Sequence, residues 1–189
     1  MKRALTAFST LALFLPAGHA LADTYEIDPV HSHALFKILH LNTGYQYGRF
    51  KDMQGTVIVD EANPAKSSVK VTLKTNSVDT NNKKRDQHLM SPDFFDARQF
   101  PVLTFVSTAV KKTGVNTYQV AGNLTLHGKT KPVSFVFKKT GEGKNMQGKT
   151  ILGGEAIFDI NRMDFGINYM PKGLSNKVTL MLAFEGAKQ

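Results

Sequence analysis

The chain has 189 residues, with 24 Lys and Arg against 15 Asp and Glu, and neither cysteine nor tryptophan. The missing thiols exclude disulfides, cysteine nucleophiles and thiolate metal sites, and the excess of positive charge favours anionic surfaces or ligands as partners. A length of this order suits one domain with its own core.

Met1, Lys2 and Arg3 precede an apolar stretch from Ala4 to Leu15, which Pro16 and Gly18 interrupt. Ala20-Leu21-Ala22 then sets small residues at the two positions a signal peptidase reads. The apolar stretch is shorter than the roughly 20 residues a spanning helix needs. The pattern predicts a secretory leader over 1–22, cleavage before Asp23, and one domain over 23–189. Lys2 and Arg3 leave with the leader, lowering the formal charge of +9 by two. No cysteine follows the cleavage point to carry a lipid anchor, and no recognisable nucleic-acid motif is present.

From Asp23 onward apolar and polar residues alternate with a period of two, as in antiparallel strands with one buried face. The runs lie near 24–28, 31–40, 48–60, 67–78, 101–111, 117–126, 131–140, 149–161 and 175–186. Turn-forming residues separate them at 61–64, 112–116 and 127–129, with a longer loop at 141–145 and another at Leu41–Tyr47. Between Asn81 and Gln99 the pattern breaks. Few β-branched residues occur there, and Ser91-Pro92-Asp93 has the form of a helix start, so two short helices are expected, near 82–89 and 92–96. Eight or nine strands joined mostly by hairpins fit a closed up-and-down barrel or a sandwich. The basic runs Lys83-Lys84-Arg85, Lys111-Lys112 and Lys138-Lys139 read as solvated turns.

The chain lacks a Gly-x-Ser-x-Gly elbow, a phosphate-cradling glycine loop and a His-Glu-x-x-His helix, so hydrolytic or transfer chemistry has no support and catalytic residues are expected to be none. His31 and His33 would share a strand face, a spacing that suits zinc or copper if His40, His88 or a carboxylate joins them. Arg162 and Asp164 are spaced for an ion pair at one end of the β structure, or Arg162 for an anionic head group. The strongest positive feature is the wealth of large apolar side chains on one strand phase. Thirteen Phe, two of them in the leader, are joined by Met53, Met90, Met163, Met170, Tyr45, Tyr47 and Tyr169. With lysines taken as facing water, Phe36, Ile38, Phe50, Val71, Leu73, Phe135, Phe158 and Leu180 point inward as candidate ligand contacts. His40 closes the same apolar wall, and Leu89 and Phe94 on the helical segment are placed as a lid. Periodicity alone fits a filled core as well as a hollow one.

Several strings taken together resemble the YceI-like family. They are Asp28-Pro29-Val30-His31-Ser32 with Phe36 and His40, Gly48-Arg49-Phe50, and Arg85-Asp86-Gln87-His88-Leu89. Ser91-Pro92-Asp93-Phe94-Phe95-Asp96, Gly122-Asn123-Leu124-Thr125-Leu126-His127-Gly128 and Arg162-Met163-Asp164-Phe165-Gly166 continue the pattern, which covers 23–186 in order. The resemblance implies an all-β, eight-stranded antiparallel lipocalin-like barrel with a short helical insertion, located in the periplasm. It implies a carrier of a long hydrophobic isoprenoid, polyprenyl or quinone-like, with no other cofactor and no settled catalytic residues. Transient contact with an anionic membrane surface would load such a carrier, and a homodimer is left open. Two other readings stand beside it: a His-based metalloprotein, and a filled-core stress or interaction protein without ligand.

Overall fold

The computed structural model describes residues 22–189; the predicted leader falls almost wholly outside them. The strands are β1 (Asp23–Ile27), β2 (His33–His40), β3 (Gly44–Phe50), β4 (Met53–Val59), β5 (Ser68–Lys74), β6 (Val78–Asp79), β7 (Val102–Gly114), β8 (Thr117–Leu126), β9 (Lys129–Lys144), β10 (Thr150–Asn161) and β11 (Leu174–Lys188), with one helix, α1 (Lys83–Met90), between β6 and β7.

These eleven segments make eight staves. Along one edge of β11, residues 174–183 pair with β2 and residues 186–188 pair with β1, so β1 and β2 are two lengths of a single stave. The same holds for β3 with β4, since β3 pairs with β2 and β4 with β1. It holds again for β5 with β6, which follow β4 and β3. Strands β7 to β11 then run up and down in sequence order, and the β1–β11 pairing closes the sheet. The result is a closed antiparallel barrel of eight staves.

Side chains bridge the breaks within staves. Pro29 cannot donate to the ladder, and the chain turns at 28–32. There the Ser32 hydroxyl donates to Glu185 O (3.0 Å) and accepts from Glu185 N–H (2.9 Å), holding the turn to β11. At Lys51–Asp52, Lys51 N–H donates to Ser77 O and Asp52 N–H to Ser77 Oγ. This second break divides the expected 48–60 strand. The expected loop at Leu41–Tyr47 is shorter than anticipated: a turn at 41–43 leads directly into β3.

The helix is capped by Asn82, whose Oδ1 accepts from Arg85 N–H at 3.0 Å. No second helix forms at 92–96. Phe94 and Asp96 N–H both return to Ser91 O, and Asp96 sits at φ +44, a left-handed conformation that ends any helical run. Residues 141–144 are strand rather than loop, because β9 continues past a bulge opposite Gly153–Gly154. His31 and Ser32 lie in the turn, and β2 starts at His33.

Arg162 is 3% exposed and does not meet Asp164, whose Oδ1 instead accepts from Asn161 Nδ2. Its guanidinium donates to Ser175 O (3.0 Å), Ile167 O (2.7 Å), Tyr169 O (2.8 Å) and Leu174 O (3.2 Å). Burial lowers its pKa from the ordinary value. Four carbonyls of the 162–175 connection therefore converge on one buried charge. Arg162→Ala leaves those acceptors unpaired, and urea unfolding should show a loss of about 3 kcal/mol.

Candidate functional site

Strand alternation sends one set of side chains inward from every stave, and that set is almost entirely apolar. It encloses a cavity of about 610 Å³ running from the α1 end of the barrel to the opposite end. All eleven sequence candidates lie on its wall: Phe36, Ile38, His40, Phe50, Val71, Leu73, Leu89, Phe94, Phe135, Phe158 and Leu180. The wall also includes Phe105, Val120, Leu124, Phe137, Leu182 and Phe184, which the same alternation would have found on β7, β8, β9 and β11.

The cavity stays open because of where the rings lie. A Cβ at Gly48 would collide with the Phe36 ring, at Gly122 with Phe105, at Gly154 with Phe137 and at Gly186 with Phe184. Each of these glycines is on the inward phase, so each lets a phenyl ring lie down against the sheet. Phe135 and Phe158 stack at 4.5 Å, and Phe36, Phe50 and Phe95 form an edge-packed group with centroids 5.3–6.5 Å apart. Offset and edge contacts of this kind fix ring positions.

Polar groups reach the cavity mainly at its two ends. At the α1 end, Arg85 donates to Thr80 Oγ1 (2.7 Å), Thr80 O (2.7 Å) and Gln46 Oε1 (2.9 Å), while Thr80 bonds Asp86 Oδ1. Three of the five guanidinium N–H groups are thus engaged. His40 lines this end half-buried, with no side-chain hydrogen bond among the described residues. His88 packs edge-on against Phe94 and Tyr169 and bonds Asp93 at 2.8 Å. His88, Tyr47, Tyr169 and Met170 line the cavity and are also exposed, so it reaches the surface here.

The far end is crossed by ions. Lys139 follows Val133, Phe135 and Phe137 on the inward phase of β9, and its side chain is only 16% exposed, against the expectation of a solvated turn. Its Nζ lies 2.9 Å from Glu142 and 3.3 Å from Glu61, which Lys112 approaches at 3.7 Å. Burial works against the Lys139 ammonium, yet the hydrogen bonds to Glu142 and Glu61 outweigh it and raise the pKa.

The histidine pair does not assemble. His31 Nδ1 meets Asp28 Oδ2 at 2.7 Å and Glu185 Oε1 at 3.7 Å, whereas His33 stands apart. Asp28, His31 and Glu185 form a cluster of donor atoms within 4.8 Å of one another, outside the cavity wall. His127 is likewise structural: its Nδ1 contacts Phe165 O, and its ring packs on Phe100.

The YceI-like domain model matches residues 25–186. The chain belongs to the YceI-like family. Protein YceI of Salmonella newport is 42% identical over 191 residues, covering all of both chains. Among solved structures, the Campylobacter jejuni YCEI protein is 29% identical with a TM-score of 0.72, covering 80% of this chain and 90% of that one. A polyisoprenoid binding domain from Saccharophagus degradans shares the fold at a TM-score of 0.67 and 15% identity, covering 87% of this chain and 98% of that one.

Two outcomes follow for this YceI-like barrel. Gly154→Ala forces a methyl group against Phe137 and should cost about 1–3 kcal/mol in urea unfolding. Gly141→Ala, where a Cβ meets nothing within 4 Å, should be near neutral.

The second concerns pH. The Asp28 hydrogen bond, then its charge, raises the His31 pKa, and the hydrogen bond from His31 leads the lowering of Asp28. The histidine contribution is present below its unfolded value and is lost as pH rises through the folded one. The aspartate contribution is present above its unfolded value and is lost as pH falls through the folded one. The pair therefore stabilises most between roughly pH 4 and 6.5. The melting-temperature difference between wild type and His31→Asn should be larger near pH ~5.5 than at about pH 8. An equal difference at both would show that the pair has no such role.

Proposed function

We propose that this protein is an exported, periplasmic carrier that holds one long isoprenoid-type lipid, polyprenyl or quinone-like, inside the barrel. The observation that carries the reading is a continuous cavity of about 610 Å³ whose wall is apolar along its length and polar at its ends. A buried polar atom without a partner is costly, so a ligand here has to be hydrocarbon over most of its length. Its oxygen atoms have to lie at an end.

Burial at ~25 cal/mol per Å² supplies enough free energy for tight binding after ordering costs. Such a role calls for no transition-state stabilisation, which favours a binding protein over an enzyme. The shared fold with a polyisoprenoid binding domain supports an isoprenoid over a straight acyl chain. The leader pattern over 1–22 supports export, and the positive charge supports loading from an anionic membrane surface.

Native purification, organic extraction and mass spectrometry test the reading. One isoprenoid lipid per chain is expected. Polyprenol or quinone at a hundredfold excess over Kd should add about 2.7 kcal/mol of stability, read as a rise in melting temperature. Recovery of no lipid, together with no thermal shift, overturns it.

A further inference from the structure

The two ends of the barrel differ in what they present to their surroundings. At the α1 end, Leu41, Tyr45, Tyr47, Tyr169 and Met170 are between 37% and 56% exposed, and three of them also line the cavity. Leu41, Asn42 and Met170 hold left-handed backbones, at φ 49, 54 and 50. Residues with a Cβ adopt that conformation at a cost. The two tips are tied together: Leu41 N–H donates to Gly173 O at 2.7 Å, and Gly173 N–H and Leu174 N–H both donate to Met170 O. The apolar side chains are thus held outward on a braced rim.

Charge surrounds this rim with one dominant sign. Lys37 Nζ sits 4.9 Å from the centroid of the Tyr45 ring. Lys83 and Lys84 are exposed on the first turn of α1, and Lys172 is exposed between Met170 and Gly173. Segments 41–47 and 168–173 contain no acidic residue. Asp86 is engaged by Thr80 and Asp93 by His88. The opposite end mixes Lys112, Lys139, Glu61 and Glu142 in one ion cluster.

We propose that the α1 end is a membrane-docking face. It seats on an anionic bilayer with Leu41, Tyr45, Tyr47 and Met170 in the interfacial layer, so that the cavity mouth opens toward the acyl chains. Tyrosine suits that layer because its ring is apolar and its hydroxyl is wet. The lysines add attraction to anionic head groups. A second copy fits less well, since a two-fold contact would bring Lys83, Lys84 and Lys172 against their own counterparts. The purpose of docking rests on the carrier reading, but the contact itself is measured separately.

The test is co-sedimentation with vesicles of phosphatidylcholine, with and without phosphatidylglycerol. Leu41→Asn combined with Tyr45→Thr removes exposed apolar surface at two positions off the cavity wall, and asparagine accepts the left-handed backbone. Wild type should bind the phosphatidylglycerol vesicles, weaken as salt is added, and leave pure phosphatidylcholine largely unbound. The double variant should bind about tenfold less. Val115→Asn with Met146→Asn, at the far hairpin tips, should bind as wild type does.

Absence of wild-type binding overturns the proposal, and so does an equal loss from the far-tip variant. A wild-type dimer that the rim variant dissociates, without vesicle binding, assigns the face to a second copy instead. Should the rim variant misfold, Lys83→Gln with Lys84→Gln and the salt response of wild type still decide. Polyprenol uptake in vesicle-free solution keeps the two readings apart: docking without uptake defeats the carrier, and uptake without docking defeats the membrane face.

Discussion

An eight-stave barrel leaves an interior that inward side chains can either fill or line, and the difference lies in how far those side chains project. The nine phenylalanines on the wall would ordinarily fill such a space. Here Phe36, Phe105, Phe137 and Phe184 lie over glycines on the inward phase, so much of their volume is spent close to the sheet. The hollow and the stability of the wall thus have one cause. Rings packed flat bury their area against backbone while leaving the axis open. A methyl group at any of these glycines acts on both properties together.

Closure depends on a different economy. Strand β11 carries both lengths of the first stave along one edge, and Ser32 and Ser77 join the segments that turns would otherwise separate. A serine hydroxyl both donates and accepts, which suits a place where the ladder lacks one backbone partner. Arg162 does comparable work at the α1 end, gathering four carbonyls of the 162–175 connection. The irregular parts of the fold are held by side-chain donors, and the regular parts by the ladder.

Much of this was legible in the residue pattern. Strict alternation places Val71, Leu73, Phe135, Phe158 and Leu180 on the cavity wall without reference to tertiary contacts. The same rule, carried two residues past Phe137, puts Lys139 inside; reading it by charge instead put it in water. The break at Lys51–Asp52 shifts the inward phase by one residue, from Phe50 to Met53, a slip that a single strand over 48–60 passes over. Ser91-Pro92-Asp93 has the local chemistry of a helix start, and the left-handed Asp96 that prevents one is set by hydrogen bonds back to Ser91, Leu89 and Met90. Spacing brought His31 and His33 together in prospect, but the turn at Pro29 gave His31 to Asp28 and Glu185.

The ion cluster at the far end has a consequence for any chain held within the barrel. Lys139, clamped between Glu142 and Glu61, closes the apolar run with a charged floor that hydrocarbon gains nothing by passing. A tail too short leaves wall unwetted by contact, and a tail too long must fold back or protrude at the mouth. On the carrier reading the barrel would be a gauge, with the lysine as its zero mark, ranking otherwise identical lipids by length.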